Sequence, residues 1–232
     1  MAVNQYTNVV NQLKSNEFRD EHEKQACLNQ MIEIAKGEKE GRISLCRAGI
    51  CDFICDLARS ENSVQCITSL CALIGYLGLS DKYRPVLFTN DVANIMTRCL
   101  KSVDQITDKL TIIEASRFLC QTKNDAVVFI HAGIMPHLCN TLKSADTNND
   151  KKMVSYSIYW ISYLAGDKIN ALQYGCIELM YEAAESISNK PLQSNIFMDM
   201  DYFDIPIVEK KKYPIYNLWK NNFQMYCDET AH

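Results

Sequence analysis

Arg47-Ala48-Gly49-Ile50-Cys51-Asp52-Phe53-Ile54-Cys55-Asp56-Leu57 and His131-Ala132-Gly133-Ile134-Met135-Pro136-His137-Leu138-Cys139-Asn140-Thr141-Leu142 open on the same Ala-Gly-Ile, followed by apolar residues at helical spacing. Asn90-Asp91-Val92-Ala93-Asn94-Ile95-Met96 lies between them, and Tyr174-Gly175-Cys176-Ile177-Glu178-Leu179-Met180 follows. The anchor residues Gly49, Asp91, Gly133 and Gly175 recur at intervals of 42 residues. A fixed period of this size marks a stack of supersecondary units, each too small to bury its own apolar face. One more step back lands on Thr7, ahead of Val9, Val10 and Leu13, and predicts a degraded first unit.

The anchors read as corners between helices. Glycine takes positive φ without a Cβ clash, and Asp is among the few other residues that visit that region. A helix follows each corner and stops at a polar turn: Leu13-Lys14-Ser15, Leu57-Ala58-Arg59-Ser60, Leu100-Lys101-Ser102 and Leu142-Lys143-Ser144. A longer helix comes next, with apolar positions Cys27-Leu28-Met31-Ile32, Cys66-Ile67-Leu70-Leu73-Ile74-Leu77, Ile112-Ile113-Ala115-Phe118-Leu119 and Tyr156-Tyr159-Trp160-Tyr163-Leu164. Gly37, Gly78 and Gly166 fall where C-terminal caps are expected. Pro85 fits the start of a short helix leading to the next corner. Strand signals are weak and the convincing non-helical stretch lies after Lys190, so the fold class predicted is all-α.

Composition narrows the function. Apolar residues make up 47% of the 232 residues, enough for a sizeable core. The net charge of −4 argues against a nucleic-acid backbone as the main partner. No run approaches the roughly 18 apolar residues of a membrane span, and Met1 to Ser15 lacks the apolar core of a signal peptide. The 11 cysteines are odd in number and irregular in spacing, which predicts core thiols in a reducing compartment, cytoplasmic or nuclear.

A three-helix unit of this length, with Ala132-Gly133-Ile134-Met135-Pro136-His137-Leu138, Ile161-Ser162-Tyr163-Leu164-Ala165, Ala48-Gly49-Ile50 and Val64-Gln65, resembles the armadillo repeat family over about residues 5–188. The resemblance implies a right-handed α-solenoid of four to five armadillo-type three-helix repeats. Its third helices would line a concave groove that holds peptides or partner domains. In the nuclear-import members of that family an Asn ladder in the third helix clamps the peptide backbone, with Trp one turn earlier. Here the ladder positions hold Glu33, Tyr76, Phe118 and Tyr163, and the earlier turn holds Asn29, Ala72, Glu114 and Tyr159. A nuclear-localisation peptide is therefore not the expected ligand.

The candidate groove comprises Tyr76, Phe118, Tyr159 and Tyr163, framed by Glu33, Glu114 and Arg117. Tyr suits an interface because it brings large area, few rotors and a polar tip. The competing reading is that the aromatics are core and the charges a solvated face. Cys51 and Cys55 share a helix face, near Cys46, Cys66 and Cys71, but paired Cys-x-x-Cys spacing is missing and a metal site is not expected. His131, His137 and Cys139 suggest a nucleophile and base, yet their repeat counterparts are Arg47, Phe53 and Cys55, so no catalytic set is completed. No cofactor motif is present.

Two domains are expected: residues 1–188 as the repeats, and residues 189–232 as an extension packed on the last repeat. The extension holds Pro191, Pro206 and Pro214, interleaves Asp199, Asp201 and Asp204 with Met200, Tyr202 and Phe203, and contains Glu209-Lys210-Lys211-Lys212. An amphipathic helix from Pro214 would present Ile215, Leu218 and Trp219, then Met225 and Tyr226. Such a tail serves either as a cap for the terminal apolar face or as a docking segment. The function expected is a non-catalytic adaptor or scaffold that binds another protein. The alternatives are a regulatory module for a small GTPase or the cytoskeleton, and a helical-repeat DNA-repair enzyme, which would need a basic concave surface.

Overall fold

The computed structural model describes residues 2–89, 91–203 and 212–221, with side chains from residue 6 onward. Its regular elements are α1 (Ala2–Ser15), α2 (Glu21–Lys36), α3 (Lys39–Arg47), a 3-10 turn (Ile50–Asp52), α4 (Ile54–Ser60), α5 (Val64–Gly78), α6 (Arg84–Thr89), α7 (Val92–Ser102), α8 (Ile106–Leu119), α9 (Lys123–His131), α10 (Ile134–Ser144), α11 (Asn148–Ala165), α12 (Lys168–Gln173), α13 (Cys176–Glu185) and α14 (Lys190–Asp201). A further helix, α15, spans 214–221. Chain packing divides it into two compact units, Met1–Ile134 and Met135–His232.

The corners share one backbone geometry. Gly49, Gly133 and Gly175 have φ of 91°, 79° and 67°, and Asp91 has 61°. At each, the corner amide donates to the carbonyl three residues back: Gly49 to Cys46 at 3.0 Å, Asp91 to Phe88 at 3.2 Å, Gly133 to Ile130 at 2.9 Å and Gly175 to Leu172 at 3.1 Å. The short helix thus ends in a tight turn whose last residue is left-handed, and the chain reverses into the second helix of the unit. Thr7 departs from this pattern. It lies inside α1, which runs unbroken from Ala2 to Ser15, so the first unit has no corner.

Polar caps start the long helices. Ser63, Thr147 and Asn189 accept from the amides of Cys66, Asp150 and Leu192 at 3.4, 3.2 and 3.2 Å. Asp20 accepts from Glu23 at 2.8 Å, and Thr122 with Asp125 forms a reciprocal capping box at the start of α9. The Asn189 cap and Pro191 in the first turn explain why residues after Lys190 are helical where a non-helical stretch was expected: the proline begins α14 instead of breaking it. Gly78 also differs from expectation. It is the last residue of α5, not a left-handed cap, and a Cβ there would meet the Leu119 side chain at 2.4 Å. Its glycine is required by space, not by φ.

In the first unit α5 packs between α2 and α8. The α5–α8 approach is close because Gly75 faces Ala115: a Cβ on Gly75 would lie 2.6 Å from the Ala115 Cα. Met31, Leu70, Leu73, Ile74, Ile112 and Ile113 are fully buried in this core. In the second unit α11, α13 and α14 pack together, burying Val154, Ile158, Ile161, Met180, Ile196 and Phe197. The buried stripe of α11 is thus aliphatic and serine-rich, not the aromatic one expected from the sequence. Tyr163 is 50% exposed, and Tyr156, Tyr159 and Trp160 are half-buried.

Residues 212–221 pack on α13 and α14. The Tyr213 ring lies 4.8 Å from that of Tyr181, tilted by 51°, and its hydroxyl donates to Glu178 at 3.2 Å. Tyr216 donates to Asp201 at 2.6 Å, and its ring lies 5.7 Å from Phe197. The apolar face of α15 differs from expectation: Tyr216 is buried, while Leu218 is 64% exposed. Tyrosine wins the inward position because its ring reaches Phe197 and its hydroxyl finds Asp201. Asp204, Pro206, Met225 and Tyr226 lie outside the described residues.

The ten described cysteines are all buried. Burial pushes the Cys55 thiol up to about 12, and raises Cys27, Cys66 and Cys120 as well. Cys139 meets Cys176 at 3.0 Å and Cys51 meets Cys46 at 3.3 Å, sulfur against sulfur. Among the described residues no three His, Cys, Asp or Glu side chains converge on a common point.

Candidate functional site

In the first unit the third helices α5 and α8 bring Tyr76 beside Phe118, with ring centroids 5.5 Å apart and planes tilted by 39°. The contact follows from the Gly75–Ala115 approach, which draws the two backbones together one position before Tyr76. Ala72, Thr111, Glu114 and Ala115 complete a shallow depression around the two rings. The Arg117 guanidinium lies 5.0 Å over Phe118, and Arg117 pairs with Glu114 at 3.7 Å. Glu33, on α2, is exposed.

In the second unit α11 carries Tyr156, Tyr159, Trp160 and Tyr163 on one stripe, spaced as helix neighbours. Tyr156 stacks on Trp160 at 6.0 Å and Tyr159 on Tyr163 at 5.6 Å. Tyr202, just past α14, sets its ring edge-on to both Tyr159 and Tyr163 at 5.5 Å. Its hydroxyl donates to the Ser162 carbonyl at 3.2 Å, and Lys168 Nζ sits 4.7 Å over its ring. Tyr202 and Lys168 were missed in the sequence because they belong to the group only through the packing of α14 and α12 against α11.

Next to this cluster an open cleft of about 410 Å³ lies between α11 and α14, lined by Lys152, Tyr156, Asn195, Met198 and Asp199. Asp199 is 8% exposed, and none of the hydrogen bonds or ion pairs among the described residues reaches its carboxyl. Burial pushes it up to about 7 against the opposing field of Lys152. Burial also raises the Tyr159 phenol, with the Asp199 charge adding to the effect. Cys139 faces Cys176 at 3.0 Å, and His131 is exposed at the end of α9.

No family model and no curated protein sequence matches the chain. Solved structures match it in fold. A designed armadillo repeat protein in complex with the peptide (KR)4 superposes with a TM-score of 0.71 at 16% identity, over 85% of this chain and 81% of that one. An engineered protein gives a TM-score of 0.74 at 13% identity, over 87% of this chain and 84% of the other. A computationally designed armadillo repeat protein for modular peptide recognition gives 0.71 at 16% identity, over 85% and 81%. At such identities the likeness speaks for the fold alone, and that fold is the armadillo-type repeat of the α-solenoids.

Proposed function

We propose that this chain is a non-catalytic protein-binding module, an adaptor or scaffold whose third helices hold an extended segment of a partner protein. The observation that carries the reading is the aromatic surface on those helices: Tyr76 against Phe118 in one unit, and Tyr159, Tyr163 and Tyr202 in the other, with Tyr163 half exposed. Rings of this kind bury large area at low entropic cost when a peptide lies across them. Glu114 and Arg117 provide charge beside the first set, and Glu33 is an exposed carboxylate on α2. The similar designed proteins, solved with or made for peptides, use the same fold for that purpose.

Supporting points concern chemistry and charge. Burial raises the proton affinity of the Cys27, Cys55, Cys66 and Cys120 thiols, where a nucleophile needs the reverse. The net charge of −4 disfavours nucleic acid as partner. No described helix is long and apolar enough to cross a membrane. Residues 1–188 would act as the repeat body in a cytoplasmic or nuclear setting, with the segment from 189 closing the terminal apolar face through α14 and α15.

Display of random extended peptides to the immobilised chain tests the reading. Enrichment of peptides that the Tyr76→Ala/Tyr163→Ala variant no longer retains is the expected outcome, with circular dichroism showing the variant folded. Peptides that bind the variant as well as the parent would remove the groove from consideration.

A further inference from the structure

We propose that the cleft between α3 and the turn joining α5 to α6 binds an aryl phosphate, the group of phosphotyrosine, through Lys39, Arg47, Lys82 and the Ser80 hydroxyl. None of the aromatic surface residues lines it, so the inference stands apart from the peptide-binding reading.

The cleft encloses about 400 Å³. Lys39 and Arg47 begin and end α3, and Lys82 lies in the turn ahead of α6. Along a helix the first two are ~12 Å apart, a span that two long side chains close around one anion. In a chain of net charge −4 the three cations make a local positive field. Asp81 is the carboxylate on the lining, and Arg84 already holds it at 2.8 Å. Lys39 and Lys82 have no ion pair among the described residues. Arg47 meets Glu40 at 3.4 Å with side chains 65% and 69% exposed, a pair that water screens and a dianion displaces.

Ser80 supplies an independent observation. It is 6% exposed and lines the cleft. Its amide donates to the Leu77 carbonyl at 3.1 Å, and its carbonyl accepts from the amides of Tyr83 and Arg84 at 3.0 and 2.9 Å. Its hydroxyl has no hydrogen bond among the described residues, so a donor is left for a ligand oxygen. One period of 42 residues on, Thr122 holds the equivalent place, and its hydroxyl is engaged in the capping box of α9. Asp81, Thr89 and Asn124 stand there in place of Lys39, Arg47 and Lys82. The repeat fold therefore requires neither the cations nor the unengaged hydroxyl.

The rest of the wall selects the ligand. Ile43 and Leu79, the latter 37% exposed, give the cleft an apolar side. A phosphate on an aromatic ring matches both halves: its oxygens take charge-assisted hydrogen bonds from the cations, and its ring covers Ile43 and Leu79. Inorganic phosphate or a phosphoserine would leave that side bare. An anionic lipid surface is met by cations spread over an open face, not gathered around a cleft.

The test follows backbone amides of the nitrogen-15-labelled chain by NMR during titration with N-acetyl-phosphotyrosine amide, N-acetyl-phosphoserine amide, N-acetyl-tyrosine amide and inorganic phosphate. The phosphotyrosine amide should shift amides within residues 39–47 and 79–82, and bind about tenfold tighter than phosphoserine amide or inorganic phosphate. The tyrosine amide should leave them in place. Lys39→Ala/Lys82→Ala, with circular dichroism showing it folded, should bind about tenfold more weakly, and Tyr76→Ala/Tyr163→Ala should bind as the parent does. Equal affinity for phosphotyrosine amide and inorganic phosphate, shifts that miss both segments, or binding that survives the lysine variant overturns the site. Binding to phosphatidylcholine vesicles containing phosphatidylinositol bisphosphate, with none to the phosphotyrosine amide, also overturns it and marks a membrane-facing basic patch. Octapeptides centred on phosphotyrosine separate the sources of the group. Tighter binding than the amide assigns it to a protein chain, and equal binding to a free small ester, both of which support the cleft.

Discussion

Replacing Asp199 by Asn should stabilise the folded chain, by an amount that grows with pH. An ordinary Asp titrates near 3.8, whereas burial holds Asp199 at about 7. Between those values the native state keeps a proton that the unfolded chain has released, so the parent loses stability as pH rises through that window. Below it both states are protonated, and above it both have lost the proton, so the effect is flat on either side. At roughly 1.36 kcal/mol per pH unit the whole window is worth about 4 kcal/mol. The cleft opens to water, so about half of that, ~2 kcal/mol, is expected between about pH 5 and pH 8. Asn has nearly the same shape and no charge, and cancels the dependence. Urea unfolding of parent and variant at both pH values, followed by circular dichroism, measures the difference directly. An advantage for Asn that is the same at both pH values would refute the assignment of a desolvated, unpaired carboxyl.

Gly75→Ala reverses the usual sign of its substitution. Alanine in a helix interior normally gains about 1 kcal/mol over glycine. Here the new methyl would meet Ala115 at 2.6 Å, and a net loss of about 1–3 kcal/mol in urea unfolding is expected. Gly133 has open space around its missing Cβ and φ of 79°, so Gly133→Ala should cost about 1 kcal/mol through backbone strain alone. Asp91→Gly should do the reverse: relief of the left-handed Asp outweighs the lost Asn94–Asp91 hydrogen bond of 2.6 Å, for a gain of up to about 1 kcal/mol in thermal or urea unfolding.

The corners were legible because each is a local backbone event. A short helix must end, reverse and restart within a few residues, and the residue at the reversal has to tolerate positive φ. That demand selects Gly or Asp whatever the neighbours, so it recurs at 42-residue intervals even where the flanking residues have diverged. The periodic apolar positions were legible for the same reason, since each helix has one dominant buried face. Less legible was which face of an apolar helix is buried. In α11 both an aromatic and an aliphatic stripe fit the helical period, and only the neighbours decide that Ile158 and Ile161 go inside while Tyr163 stays half exposed. Gly78 shows the same limit from the other side: its glycine near a helix end reads as a cap, but Leu119 is the reason for it.

By itself, the sequence determined the repeat, its period, the all-helical class and the positions of the elbows, because these depend on residues close together in the chain. The tertiary structure decided the surface. Tyr202 joins Tyr159 and Tyr163, Lys168 covers Tyr202, and Asp199 lines an open cleft without a donor among the described residues, through the meeting of residues up to 47 apart in the chain. Propensity and pattern report how one helix meets its own neighbours in sequence; desolvation and pairing of a charged group depend on the atoms that a different helix brings, or fails to bring, to its side.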